Sequence, residues 1–165
     1  MKYLKLKVKQ LKNSKRINKL SNNNKHIKKK LVIKSRTENL SSLRDFISEN
    51  ANVAGLSTDE IDDIILAVDE ACTNIIKHAY KSVPDGEIII EIDYNSKKFT
   101  IKLIDHGNSF DPETVPLPDL QKYLKQRRVG GLGLYLMKTL MDDVQYISVP
   151  GKYNQVLLSK NLNNH

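Results

Sequence analysis

The sequence predicts an α+β domain, a two-layer sandwich in which a mostly antiparallel sheet carries its helices on one face. Three observations predict it. Apolar residues recur at helical spacing in two early segments, 40–53 and 58–80. Two pairs of β-rich runs follow, each pair joined by a tight turn, as antiparallel hairpins require. One further helical segment, about 132–142, begins at a glycine cluster between the two hairpins. Helices first and hairpins afterwards do not give the strand–helix alternation of a parallel sheet. The chain has 165 residues, of which 39% are hydrophobic. That suits one domain able to bury a core without staples.

The elements run as follows. Leu31, Val32 and Ile33 begin a short strand. Leu40, Leu43, Phe46, Ile47 and Asn50 share one face of a first helix, which Gly55 stops. Ser57 and Glu60 stand at capping-box spacing and open a second helix. In it Ile61, Ile64, Ile65, Val68, Cys72, Ile75, Ile76 and Ala79 fall in one stripe. Cys72 lies on that stripe, a core position. Pro84-Asp85-Gly86 is a turn. Strands 87–93 and 97–105 then form a hairpin about Asn95-Ser96. A loop with Pro112, Pro116 and Pro118 leads to Gly130-Gly131-Leu132-Gly133 and the third helix. Strands 144–149 and 155–159 close the chain around Pro150-Gly151, and 161–165 is a short polar tail.

Charge divides the chain. The whole carries +8, which by itself suggests nucleic acid or an anionic surface as partner. Residues 1–30 hold twelve of the 27 basic side chains and none of the 19 acidic ones. The remaining fifteen basic against nineteen acidic leave residues 31–165 at about −4. Residues 1–30 read as a basic, disordered extension, either a simple tail or an arm for nucleic acid or acidic lipid. A single cysteine excludes an internal disulfide and a cysteine-rich zinc site. No apolar run approaches the ~20 residues of a membrane span, and the N-terminus lacks a continuous apolar signal region. The expected setting is the cytoplasm.

Three short stretches hold residues capable of chemistry. Glu70 and Asn74 lie one helical turn apart, opposite the apolar stripe, and His78 continues the row. Such a row is either a solvated face or a site in which the amide ligates Mg²⁺ and the carboxylate takes a proton. Asp105-His106-Gly107 ends a strand, either as a plain turn or with Asp105 accepting the amine of adenine. Gly130, Gly131 and Gly133 precede a helix, as a hinge or as a nest for phosphate. The spacing fits neither a Walker A loop nor the dinucleotide fingerprint. Lys122, Lys125, Arg127 and Arg128 just before the glycines are either a solvated loop or a screen for phosphate charge.

In this order Glu70-Ala71-Cys72-Thr73-Asn74 with His78-Ala79-Tyr80, then Asp105-x-Gly107, then Gly130 to Met137 resemble the N, G1 and G2 boxes of the GHKL ATP-binding superfamily. Within it the chain closely resembles the bacterial anti-sigma factor serine kinases, from about Leu31 to Lys160. The resemblance implies a Bergerat-type fold, ATP and Mg²⁺ as cofactors, and phosphorylation of a STAS-type antagonist by a protein that also binds a sigma factor. It further implies a homodimer. Asn74 would ligate Mg²⁺ and Glu70 would be general base. Asp105 would read the adenine amine, with Gly107 giving clearance. Gly130, Gly131, Gly133 and Leu134, with His78, would complete the ATP site. Arg44, matched by spacing in the first helix, would lie near the transferred phosphate. The family usually has a threonine near adenine in the last strand. Here Asn154-Gln155 stand, and an amide would replace the hydroxyl as hydrogen-bond partner. The alternative function is a non-catalytic ATP-binding protein that regulates a partner by docking.

Overall fold

The computed structural model describes residues 26–109 and 132–162. Five strands form one antiparallel sheet: β1 (Ile27–Lys34), β2 (Glu87–Tyr94), β3 (Lys98–Asp105), β4 (Asp143–Val149) and β5 (Tyr153–Asn161), in the order β1-β2-β3-β5-β4. Helices α1 (Leu40–Ala54), α2 (Thr58–Asn74) and α3 (Gly133–Leu140) accompany it. This is the α+β architecture expected, with α2 packed against both α1 and α3.

Alternation along the strands explains why one sheet face is dry. Ile88, Ile90, Ile92 and Tyr94 of β2 and Phe99, Ile101 and Leu103 of β3 are buried. They meet Leu43, Ile47, Ile64, Val68 and Cys72 from α1 and α2 in one core. The Tyr94 and Phe99 rings stack at 5.6 Å between centroids. Gly55 closes α1 at φ 88°, a conformation in which glycine meets no Cβ penalty. Ser57 and Glu60 form the expected reciprocal cap, Glu60 N–H donating to Ser57 Oγ at 3.3 Å and Ser57 N–H to Glu60 Oε2 at 2.8 Å. In the first hairpin Asn95 Oδ1 accepts from the Lys97 and Lys98 amides.

Most element ends lie within one or two residues of the sequence reading, the last strand running Tyr153–Asn161 instead of 155–159 and the third helix Gly133–Leu140 instead of about 132–142; two boundaries differ more. β1 starts at Ile27, not Leu31, so residues 27–30 belong to the sheet rather than to the basic extension. The reason is electrostatic. Lys28 approaches Asp93 at 3.7 Å, Lys30 stands opposite Glu91, and Lys34 reaches Glu87 at 3.1 Å. Acidic partners on β2 offset the self-repulsion of the lysine run, and lysines suit an edge strand. The second boundary is at the end of α2. The helix stops at Asn74 and widens into a π-turn over Ile75–Ala79, with Tyr80 N–H donating to Ile75 O at 3.0 Å. The expected loop with Pro112, Pro116 and Pro118, the cluster Lys122, Lys125, Arg127 and Arg128, most of the basic extension, and Gly130 and Gly131 lie outside the described residues.

Candidate active site

A cleft of about 370 Å³ lies between the end of α2, the start of the β3–α3 connection and the β4–β5 hairpin. Ala71, Ile75, Met137 and Val156 give it an apolar floor, and Asn74, Asp105, Asn108, Ser148 and Asn154 supply convergent polar groups. An apolar pocket with a few fixed polar atoms is the usual form of a small-molecule site, and its size falls in the usual range of roughly 300–1,000 Å³.

Asp105 occupies the last position of β3 and is only 2% exposed. Its Oδ1 accepts from the Gly107 amide at 2.9 Å and from Asn154 Nδ2 at 2.9 Å. Asn154 is its register partner on β5, and Ser148 is the partner of Asn154 on β4. The segment after Asp105 is tied to the π-turn that follows α2: Asn108 N–H donates to Ala79 O at 2.8 Å, and its side-chain amide donates to the same oxygen at 3.2 Å. Tyr80 is a second strut, its hydroxyl donating to Glu87 O at 2.7 Å and accepting from the His106 amide at 3.0 Å. Burial and the nearby Asp105 and Glu87 carboxylates raise the Tyr80 hydroxyl above its ordinary pKa, while its backbone hydrogen bonds act the other way. Gly107 is needed for this closeness. A Cβ there would lie 2.5 Å from Ala79 O, so its clearance serves the π-turn after α2.

Glu70 and Asn74 meet at the start of α3. A Cβ on Gly133 would stand 2.5 Å from Glu70 Oε2 and 3.5 Å from Asn74 Nδ2. Glu70 and Asn74 are therefore half-buried, because α3 packs over them. Asn74 lines the cleft, and the Glu70 carboxylate flanks it against Gly133. Among the described residues no cluster of three His, Cys, Asp or Glu side chains forms a metal cage.

The other expected residues fall differently. Arg44 donates Nε–H to Asp69 Oδ2 at 2.7 Å, across from α1 to the neighbour of Glu70, with about half its side chain exposed. The second Asp69 oxygen is buried and accepts no hydrogen bond among the described residues. His78 is exposed on the π-turn, and Leu134 packs on the core; neither is among the residues lining the cleft. Cys72 is buried, and its thiol is pushed up to about 12 by desolvation first and by the Asp69 charge second. That is a core cysteine, as its place on the stripe implies. Sequence reasoning missed the Tyr80 strut and the Ser148–Asn154 pair. A polar residue at 154, where the inward alternation of β5 asks for an apolar one, was the available signal.

Comparison with known proteins adds to this geometry. The family described as Histidine kinase-like ATPase domain matches residues 33–160. Serine-protein kinase RsbW of Listeria monocytogenes is 40% identical over 124 residues, covering 73% of this chain and 79% of that protein. The protein of the same name from Bacillus subtilis is 37% identical over 131 residues, 76% of this chain and 80% of that one. The crystal structure of the RsbU and RsbW domains of a Mycobacterium tuberculosis protein superposes with a TM-score of 0.58 at 15% identity, over 81% of this chain and 32% of that one. At that identity the likeness concerns the fold.

Proposed function

Since this chain belongs to the histidine kinase-like ATPase domain family, and within it to the serine-protein kinases of the RsbW kind, we propose that it transfers the γ-phosphoryl group of ATP to a serine of a STAS-type anti-sigma factor antagonist and that it also binds a sigma factor. The observation that carries the proposal is the convergence of Glu70, Asn74 and the start of α3 beside a cleft that holds the buried Asp105.

The adenine ring enters between Ile75, Met137 and Val156, and its amine donates to Asp105. The phosphates then run toward Asn74 and Gly133; Gly130 and Gly131, matched by motif alone, lie outside the described residues, and Leu134 and His78 stay part of the expected ATP site although neither lines the cleft. Asn74 offers one hard amide oxygen. That fits Mg²⁺, which keeps several waters and takes its remaining oxygens from phosphate rather than from an all-protein cage. When bound, the ion supplies charge neutralisation to the phosphates. Glu70 accepts the proton of the serine hydroxyl as that oxygen forms its bond to the γ-phosphorus. The bond from phosphorus to the β–γ bridging oxygen breaks and ADP leaves; Glu70 then releases its proton to water. Positioning supplies most of the rate, as is usual in phosphoryl transfer. Arg44, steadied by Asp69, directs its remaining guanidinium donors to charge on the transferring group.

The protein acts as a homodimer in the cytoplasm. Among the described residues no helix is long and apolar enough to cross a membrane. The domain comprises about residues 31–160 together with the sheet residues from Ile27, and the basic extension stays outside the catalytic unit. Incubating wild-type protein with radiolabelled ATP and a STAS-type antagonist tests the proposal. Label on an antagonist serine is expected; tight ATP binding with no transfer to any such antagonist would favour a non-catalytic docking regulator.

A further inference from the structure

The amide of Asn154 is fully committed before any ligand arrives. Its Nδ2 faces three acceptors: Asp105 Oδ1 at 2.9 Å, Gly107 O at 3.2 Å and Asn108 O at 3.3 Å. Its Oδ1 accepts from the Ser148 hydroxyl at 2.8 Å, and Ser148 lies 3.0 Å from Ser109 Oγ. Three acceptors on one side and a hydroxyl on the other leave a single sensible orientation of the amide. With two hydrogens for three acceptors, Nδ2 has none to give to a base. The amide that stands in place of the family's threonine therefore contacts Asp105 and not the base.

That contact changes what Asp105 presents. Oδ1 already holds two donors, the Gly107 amide and Asn154. An oxygen that receives two hydrogen bonds is an acceptor with both lone pairs used. Oδ2 receives none from the described residues, and Asp105 lines the cleft. Asp105, Asn154 and Ser148 stand side by side on three adjacent strands, at paired register positions. The ladder therefore fixes which carboxylate oxygen faces the ligand, and fixes it from two rigid strands rather than from a loop.

We infer that Asn154 is a positioning and specificity-determining residue for the nucleotide base: by holding Asp105 Oδ1, with Ser148 steadying the amide, it makes Asp105 Oδ2 a fixed acceptor that selects a 6-amino purine over a 6-oxo purine. This rests on the adenine-reading role proposed above for Asp105. A 6-amino group donates to Oδ2. A 6-oxo group places a second acceptor against it, and the purine then leaves a buried carboxylate oxygen unpaired, which sites built around a hydrogen bond penalise strongly. Without Asn154 the carboxylate keeps, among the described residues, only the Gly107 amide and gains freedom to turn.

The test is binding of ATP and ITP, with Mg²⁺, to the full chain by calorimetry. Wild-type protein is expected to prefer ATP by at least about a hundredfold. Asn154→Ala should weaken ATP about tenfold, change ITP little, and so compress the preference about tenfold. Ser148→Ala, which leaves Asn154 in place, should shift the preference the same way by about threefold. Tyr153→Ala, at an exposed position beside Asn154 and outside the cleft, should change neither. A merely structural role for Asn154 would weaken both nucleotides equally and leave the ratio intact, which overturns the inference. If Asn154→Ala does not fold, an unchanged ratio in Ser148→Ala overturns it instead. Wild-type protein that binds neither nucleotide would overturn the proposed kinase function and this inference together. Wild-type binding of ATP with an unchanged ratio in the variants overturns the inference alone.

Discussion

Replacing Gly133 with alanine separates stability from catalysis in one substitution. Gly133 is the first residue of α3, and the added methyl would sit 2.5 Å from Glu70 Oε2 and 3.4 Å from its carboxyl carbon. Ordinary contact requires about 3.4 Å or more between such heavy atoms. The carboxylate must therefore retreat by about 0.9 Å, or turn to another rotamer. The obstacle is the end of a flexible side chain, so the backbone need not move. Alanine is favoured over glycine within helices by up to about 1 kcal/mol. The variant should hence be as stable as wild type or slightly more so. Its phosphotransfer should nevertheless fall by about a hundredfold, because a displacement near 1 Å of a positioned group costs about that much. Two assays read the two effects: thermal unfolding followed by circular dichroism, and initial-rate transfer from radiolabelled ATP to the antagonist. Because the methyl also stands 3.5 Å from Asn74 Nδ2, where the phosphates are proposed to run, ATP affinity should weaken too, but by less than the rate falls. A Gly133→Ala protein that transfers phosphate at the wild-type rate would show that the Glu70 position beside Gly133 is irrelevant to the chemistry. Loss of activity in step with loss of fold would refute the reasoning equally.

Other expectations follow from the same contacts. Tyr80→Phe removes a donor to Glu87 O and an acceptor for the His106 amide, and should lower stability by about 1–2 kcal/mol in urea unfolding. Ser57→Ala deletes the cap of α2 and should cost about 1 kcal/mol by the same measurement. Burial raises Cys72 from 9.0 to about 12 and Tyr146 from 10.0 to about 12. Above these ordinary values the unfolded chain loses its protons while the folded one keeps them. Stability contributed by the two neutral groups is thus present below about pH 9 and lost progressively toward pH 12. The urea midpoint should fall over that window, and Cys72→Ala should flatten the part that begins near pH 9. The folded protein should also resist thiol alkylation at pH 8, since almost no thiolate is present there.

Much of the fold was legible because its signals are local. The stripe of α2, the Ser57–Glu60 cap and the Asn95 turn each depend on residues a few positions apart. β1 was cut short because lysines 28–30 look like a repelling run until Asp93, Glu91 and Glu87 are placed beside them by pairing across some sixty residues. The same holds in the site. Glu70, Asn74 and Asp105 could be singled out by type and spacing, but not the partners that orient them. Gly133 touches Glu70, and Asn154 holds Asp105, only after α3 and β5 have packed. Gly107 matched a motif by position, yet its tight neighbour is the backbone of Ala79, a contact no local pattern announces. Arg44 was placed by spacing alone, and its ion pair with Asp69 depends on how α1 crosses α2.

The central claim is that Glu70 takes the proton while Asp105 and Asn74 hold the nucleotide. Glu70→Gln keeps the size of the side chain but removes its charge and its basicity. Measured in one preparation, its ATP affinity should stay within about threefold of wild type while phosphotransfer to the antagonist serine falls by about 10²–10⁴-fold. Transfer at the wild-type rate, or ATP binding lost together with transfer, would contradict the account.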